Sequence, residues 1–312
     1  MTEFGFISSL AARFAELPDG GFDRIGDDCT AMEIGGGESI VMSTDMLAEG
    51  VHFLREASSA YEVGCKSLLV NLSDVAAMGA RPVATLLSLS LPADAAGEWA
   101  EEFMRGYYDE SKRWGVALSG GDTTSSKGAV TINVVAIGRM ATSCIKRRSD
   151  ACEGDVICVS GKLGASAAGL RDILSGDGDS ERARLHRRGN ARIEEGAWLG
   201  GRSEVHAMMD ISDGIASDML HIMERSGVGA VIDTESVPTD VDIVTAVTGG
   251  EDYELLMTVA ADGCQRLRDD YFARFGEELH AIGRIVGNSG GGIEWFDRGR
   301  RIDVDWRGFE HY

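Results

Sequence analysis

Five short runs hold most of the side chains able to do polar chemistry: Gly26-Asp27-Asp28, Ser43-Thr44-Asp45, Asn71-Leu72-Ser73-Asp74, Gly120-Gly121-Asp122-Thr123-Thr124 and Asp210-Ile211-Ser212-Asp213-Gly214. Each joins carboxylates to hydroxyls or glycine, the hard oxygen donors that Mg²⁺ prefers and that phosphate oxygens complete. Taken singly, each reads equally well as a turn or a cap. Asp213 ahead of a helical run has the position of an N-cap, and Asp27 or Asp28 suits a hairpin turn. Five such runs in one chain point instead to a metal-phosphate site. Other phosphate chemistry is absent: Ser160-Gly161-Lys162-Leu163-Gly164 resembles a P-loop, but Leu163 stands where a Ser or Thr would bind magnesium. The H-R-D and D-F-G signatures and the G-x-S-x-G elbow are missing as well.

The elements that must position these runs follow from periodicity. An apolar strand over 39–43, bounded by Gly35-Gly36-Gly37, is expected to deliver Thr44 and Asp45 to its end. From 61 to 78 the period becomes helical, with Leu68, Leu72, Val75 and Ala76 on one face and Ser67, Asn71 and Asp74 on another; Gly79 and Pro82 supply the stop. Alternation over 83–91 predicts a strand closed by Pro92. Trp99, Phe103, Tyr107 and Trp114 recur at helical spacing, which marks core aromatics. Strands are predicted at 130–137, 156–160, 228–232 and 253–259, a helix starts near Asp213, and 175–192 reads as a surface loop or mobile lid. The first half is thus mixed α and β.

The bulk numbers bound the function. A length of 312 residues suggests two domains of roughly 150 residues each. A net charge of −21, from 51 acidic and 30 basic residues, disfavours nucleic-acid binding; on its own it reads as solubility, and phosphate binding then needs divalent cations in between. Six cysteines at irregular intervals lack any C-x-x-C pair, which indicates neither a zinc site nor a disulfide framework and fits reduced thiols in the cytoplasm. Residues 1–15 lack a targeting pattern, and no apolar stretch approaches the roughly 20 residues of a membrane span.

Together with Met46-Leu47, Gly50-Val51-His52-Phe53, Val75 through Ala80, Gly249-Gly250-Glu251-Asp252-Tyr253-Glu254-Leu255 and Asp305-Trp306-Arg307-Gly308-Phe309, the acidic runs resemble the thiamine-monophosphate kinase family, in the family's order and over nearly the whole chain. The resemblance implies an α/β chain with mixed sheets and a two-domain fold like that of aminoimidazole ribonucleotide synthetase. Residues 1–140 would be the metal- and ATP-binding domain, whose sheet pairs with a partner's in a homodimer, and 141–312 a C-terminal α/β domain. By the same likeness Asp28, Ser43, Thr44, Asp45, Asp74, Asp122, Asp210 and Asp213 would ligate several Mg²⁺ ions. Gly121, Asp122, Arg148 and Ser212 would contact ATP, and His52, Glu251 and Trp306 thiamine monophosphate. The implied reaction is Mg²⁺-dependent, in-line transfer of the γ-phosphate of ATP to thiamine monophosphate.

From the residues alone, Glu251 reads as a solvated loop carboxylate, Trp306 as a core tryptophan and His52 as a turn histidine. Other members of the superfamily, aminoimidazole ribonucleotide synthetase, selenophosphate synthetase and a hydrogenase-maturation ATPase, share scattered acidic motifs, and fold alone does not separate them. The runs 71–80 and 249–255 favour the thiamine enzyme. A non-catalytic divalent-ion buffer is the reading from another class, although EF-hand spacing is absent.

Overall fold

The computed structural model describes residues 3–288 and 290–310. After helix α1 (Glu3–Phe14) come β1 (Thr30–Gly35), β2 (Glu38–Ala48), α2 (Ala60–Ala77), β3 (Arg81–Leu91), α3 (Glu98–Trp114), β4 (Ala117–Ser125) and β5 (Thr131–Ala141). The five strands form one mixed sheet in the order β1-β2-β5-β3-β4, with only the β3–β4 pair parallel. The second half supplies β6 (Val156–Val159), α4 (Ala165–Ser175), α5 (Glu181–Arg188), α6 (Ile193–Gly200), β7 (Val205–Asp210), α7 (Ile215–Ser226), β8 (Val228–Asp233), α8 (Ile243–Thr248), β9 (Leu255–Val259), α9 (Cys264–Phe275), β10 (His280–Gly287), β11 (Glu294–Asp297) and β12 (Arg300–Ile302). Its seven-stranded sheet runs β12-β11-β8-β10-β6-β9-β7. Among the described residues no helix is long and apolar enough to cross a membrane.

Helix α2 is the pivot between the halves. Ser59 and Glu62 close a capping box at its start, and Gly79 turns the chain away with φ +81°. Both of its faces are buried: Leu68, Leu72 and Val75 pack under the first sheet, Ser67, Asn71 and Ser73 are fully covered, and the helix also touches α5, α6 and β7 of the second half. The predicted polar stripe is therefore interior, because α2 is sandwiched between two sheets and not laid on the surface of one. Its contact with α3 is close: a Cβ at Gly64 would lie 2.1 Å from the Phe103 carbonyl oxygen, and one at Gly106 would lie 2.0 Å from that of Tyr61. Trp99 stacks on Phe103, and Phe103 and Tyr107 are buried, so these aromatics are core.

Three expectations change. Residues 175–192 contain a helix, α5, capped by the Ser180 side chain and pinned by Arg187 to Glu62 (2.8 Å) and Arg188 to Glu110 (2.7 Å). Its charge density reads as loop in one dimension but serves ion pairs to α2 and α3. Strand β2 continues to Ala48, so Thr44 and Asp45 lie within it and not at its end. Gly120, Gly121 and Asp122 likewise lie inside β4, an edge strand exposed at all nine positions. Gly121 is required there, since a Cβ would sit 1.7 Å from the Leu87 carbonyl oxygen of β3.

Candidate active site

Three carboxylates distant in sequence converge where the two halves meet. Asp28 precedes β1, Asp74 sits in α2 and Asp210 ends β7, and one oxygen from each lies within 4.8 Å of the others. Asp45 joins them from β2. Burial and the charge of Asp28 push Asp45 up to about 6; burial and again Asp28 push Asp210 up to about 8. Burial, then Asp45, Asp210 and Asp28, hold Asp74 well above the usual carboxylate range. Asp210 is buried and the other three are partly covered, and carboxylates held this close resist carrying negative charge together, which is the electrostatics that a bound cation relieves.

The surrounding groups fix this cluster. Ser73 donates its hydroxyl to Asp210 across the junction. Asn71 accepts the Asp45 amide at 3.2 Å and donates to the Ser67 carbonyl, which ties β2 to α2. Arg148 donates to Asp28 through its guanidinium, and its amide donates to Asp27 Oδ1 at 2.7 Å. Burial opposes the charge of Arg148, but Asp28 beside it outweighs that and raises its pKa. Asp28 Oδ2 and Ser43 Oγ are buried without a hydrogen-bond partner. These two oxygens, beside carboxylates of which only Asp28 has a guanidinium partner in Arg148, make a hard-oxygen donor set that fits a divalent cation such as Mg²⁺.

A second constellation lies beside it. The Gly249–Glu254 run extends the β7–β9 pairing: the Glu251 amide donates to the Ser212 carbonyl (2.7 Å) and the Tyr253 amide to that of Ile211 (2.9 Å). Glu251 and Tyr253 both adopt left-handed backbone, with φ of 63° and 51°, a conformation held only where surroundings over-determine it. The Lys66 ammonium, 2% exposed, lies 2.8 Å from Glu251 Oε1 and donates to the His52 carbonyl at 2.9 Å. His186 of α5 completes the group, 3.3 Å from Glu251 Oε2 and 2.9 Å from the Ser166 hydroxyl. Burial, with Lys66 nearby, lowers His186 to about 4, so the ring is neutral. His52 Nδ1 accepts the Ala48 amide, which sets the tautomer with the proton on Nε2. Val51, His52, Phe53, Lys66, His186 and Glu251 line a cleft at this point.

The C-terminal tail returns to the same region. Phe309 donates to the Asp213 carbonyl at 3.0 Å, and Gly308 passes so near that a Cβ would lie 2.4 Å from that oxygen. Trp306 packs edge-on against Trp295 at 5.0 Å and remains half-buried.

The structure thus gathers Asp28, Ser43, Asp45, Asp74, Asp210 and Arg148, and sets Ser212, Asp213, Glu251 and His52 around them. It does not bring Thr44 and Asp122 to the cluster. Both lie on the opposite, open face of the first sheet, Asp122 in the row Met46–Asn133–Ser88–Asp122 at the far edge. That is three strand spacings, roughly 14 Å, from β2. Asp213 is not an N-cap: Gly214 holds that position, and Asp218 in the first turn of α7 accepts the Asp213 and Gly214 amides. Lys66, His186 and Asp218 were not singled out from the sequence. Lys66 falls on an otherwise apolar helix face, a signal that a buried charge needs a partner; His186 lies in the presumed lid and offered none.

Two mixed α/β halves with carboxylates from both meeting on a shared helix define a class. Residues 26–140 match the N-terminal domain of AIR synthase related proteins and 153–296 match the C-terminal domain. The thiamine-monophosphate kinase of Escherichia coli K12 is 34% identical over 307 residues, covering 92% of this chain and 91% of that one. A solved structure of AaThiL complexed with AMPPCP and TMP superposes with a TM-score of 0.82 at 30% identity, over 100% of this chain and 97% of that one. The thiamine-monophosphate kinase of Stenotrophomonas maltophilia K279a gives 0.76 at 35% identity, over 96% and 98%. The chain belongs to the thiamine-monophosphate kinase family.

Proposed function

We propose that this chain transfers the γ-phosphoryl group of ATP to thiamine monophosphate, giving thiamine diphosphate and ADP. The observation that carries the reading is the convergence of Asp28, Asp74 and Asp210, with Asp45 charge-coupled to them, on one partly covered site beside the Glu251 cleft. It is supported by family membership and by a relative's structure with AMPPCP and TMP.

Asp28, Asp45, Asp74 and Asp210, with the Ser43 hydroxyl, would hold Mg²⁺. When bound, the ions neutralise phosphate charge and let two polyanions approach. Asp213 and the Ser212 loop stand at the rim of that site. Arg148, fixed by Asp27 and Asp28, presents a guanidinium suited to a phosphate oxygen. Glu251, held by Lys66, would offer its carboxylate to the cationic thiazolium, and the ring of Trp306, half-buried against Trp295, would be a cation–π partner for it. The acceptor phosphate is already anionic, so attack on the γ-phosphorus needs no strong general base from the protein. Positioning and charge neutralisation supply the catalysis.

Thr44, Gly121 and Asp122 belong to this reading through the homodimer. Strand β4 is an uncovered edge, and the open sheet face exposes Met46 and Leu86, 58% and 37% accessible. Pairing with a second copy would cover both, and light scattering of the full chain in solution tests it. Chromatographic assay of products from ATP, Mg²⁺ and thiamine monophosphate, with free thiamine alongside, tests the reaction. Diphosphate formed only from the monophosphate is the expected result; phosphorylation of free thiamine alone would overturn the assignment.

A further inference from the structure

A second group of ligand-bearing side chains lies outside the phosphate site, and the proposed reaction does not use it. Cys152 Sγ, a carboxylate oxygen of Asp155 and a ring nitrogen of His206 all fall within 4.8 Å of one another. We propose that they form a site for a soft-to-borderline divalent cation of the zinc class.

The backbone builds this arrangement in two independent ways. Residues Cys152-Glu153-Gly154-Asp155 form a tight turn: the Asp155 amide donates to the Cys152 carbonyl at 3.1 Å, Gly154 takes φ +95°, and the Cys152 amide donates to Asp155 Oδ2 at 2.9 Å. Such a turn brings its first and fourth side chains to the same side, as a C-x-x-C chelating turn does, with a carboxylate in place of the second thiol. The third ligand comes from a displaced strand position. The pairing of β7 with β9 shifts register between Val205 and Met208, and the Ala207 amide leaves the ladder for the Thr258 hydroxyl at 3.1 Å. A bulge re-aims side chains, and here it turns His206 onto the turn, with Nδ1 2.9 Å from Asp155 Oδ2.

Sulfur, nitrogen and oxygen donors together match zinc better than magnesium, and three protein ligands leave a fourth position for water. Metal bonds of about 2.0 to 2.3 Å imply ligand separations of roughly 3.3 to 3.8 Å; the three atoms already lie within 4.8 Å of one another, Cys152 is exposed with its thiol on the Asp150 carbonyl at 3.6 Å, and loading would replace the His206–Asp155 hydrogen bond of 2.9 Å by bonds to the metal. Loading releases the thiol proton to solvent. A search for paired cysteines misses the site because one ligand is a carboxylate and another lies 51 positions further along the chain.

The test uses the full chain under reducing conditions, with excess Mg²⁺ to occupy the aspartate cluster, titrated with Co²⁺ and read by ultraviolet sulfur-to-cobalt charge transfer. The expected result is a band saturating at a single equivalent, lost in Cys152→Ser and bleached by equimolar Zn²⁺. His206→Ala weakens binding by about tenfold or more. Cys152→Ser, at an exposed position, keeps normal turnover. No band in the wild-type chain, or a band undiminished in Cys152→Ser, overturns the proposal.

Discussion

Replacing Lys66 by Met tests whether the Glu251 cleft is an acceptor site. Methionine matches the length of the lysine stem and keeps α2 helical, so the change removes one buried charge and little packing. Two groups lose their donor: Glu251 Oε1, 2.8 Å away, and the His52 carbonyl, 2.9 Å away. A hydrogen bond to a charged group contributes about 1.5 to 3 kcal/mol. Glu251 is one-quarter exposed, so water recovers part of this, and about 2 kcal/mol remains. The Glu251 side chain then keeps only the His186 contact, while its backbone stays on the Ser212 carbonyl. At 1.4 kcal/mol per tenfold, KM for thiamine monophosphate rises about 30-fold, while KM for ATP stays near that of the wild type. Stability changes little, because the variant also sheds the cost of burying an ammonium group. Initial rates with each substrate varied separately decide it. An unchanged acceptor KM, or equal rises in both, refutes the role assigned to Lys66 and Glu251.

Asp45→Asn should abolish turnover at saturating Mg²⁺ while leaving the melting temperature equal or higher, since burial and Asp28 already oppose its charge; near-normal product formation would contradict the metal-site reading. His186 has a folded pKa of about 4 against an ordinary 6.5, so the unfolded chain takes up its proton first. The stability this confers is complete above pH 6.5 and is lost as pH falls toward 4, by at most roughly 3 kcal/mol. Urea denaturation of wild type and His186→Asn across that window should show the two curves converging at low pH. Gly106→Ala should cost about 3 kcal/mol or prevent folding, because its Cβ would lie 2.0 Å from the Tyr61 carbonyl oxygen; a urea midpoint within error of the wild type would refute the close α2–α3 packing.

Much of this was legible in one dimension. The periods that predict α2, β3, α3 and β5 hold to within a few residues, because alternation and helical spacing report local geometry directly. The acidic runs were legible as chemistry only together, since each alone suits a turn or a cap and five in one chain do not. The helix in 175–192 was not, because its charges are satisfied by Glu62 and Glu110 from elements far away in the chain. The same cause hid Lys66 and His186: each looks ordinary until its partner arrives from another segment.

Residue types and spacing by themselves determined the mixed α/β class, the hard-oxygen donors and the likeness to a phosphate-transferring family. Only the tertiary structure decided which donors meet: Asp28, Asp45, Asp74 and Asp210 share one site, whereas Thr44 and Asp122 face the other side of a sheet. A strand sends successive side chains to opposite faces, so neighbours such as Thr44 and Asp45 part company. A helix sandwiched between two sheets joins residues separated by more than a hundred positions, as Ser73 and Asp210 are joined.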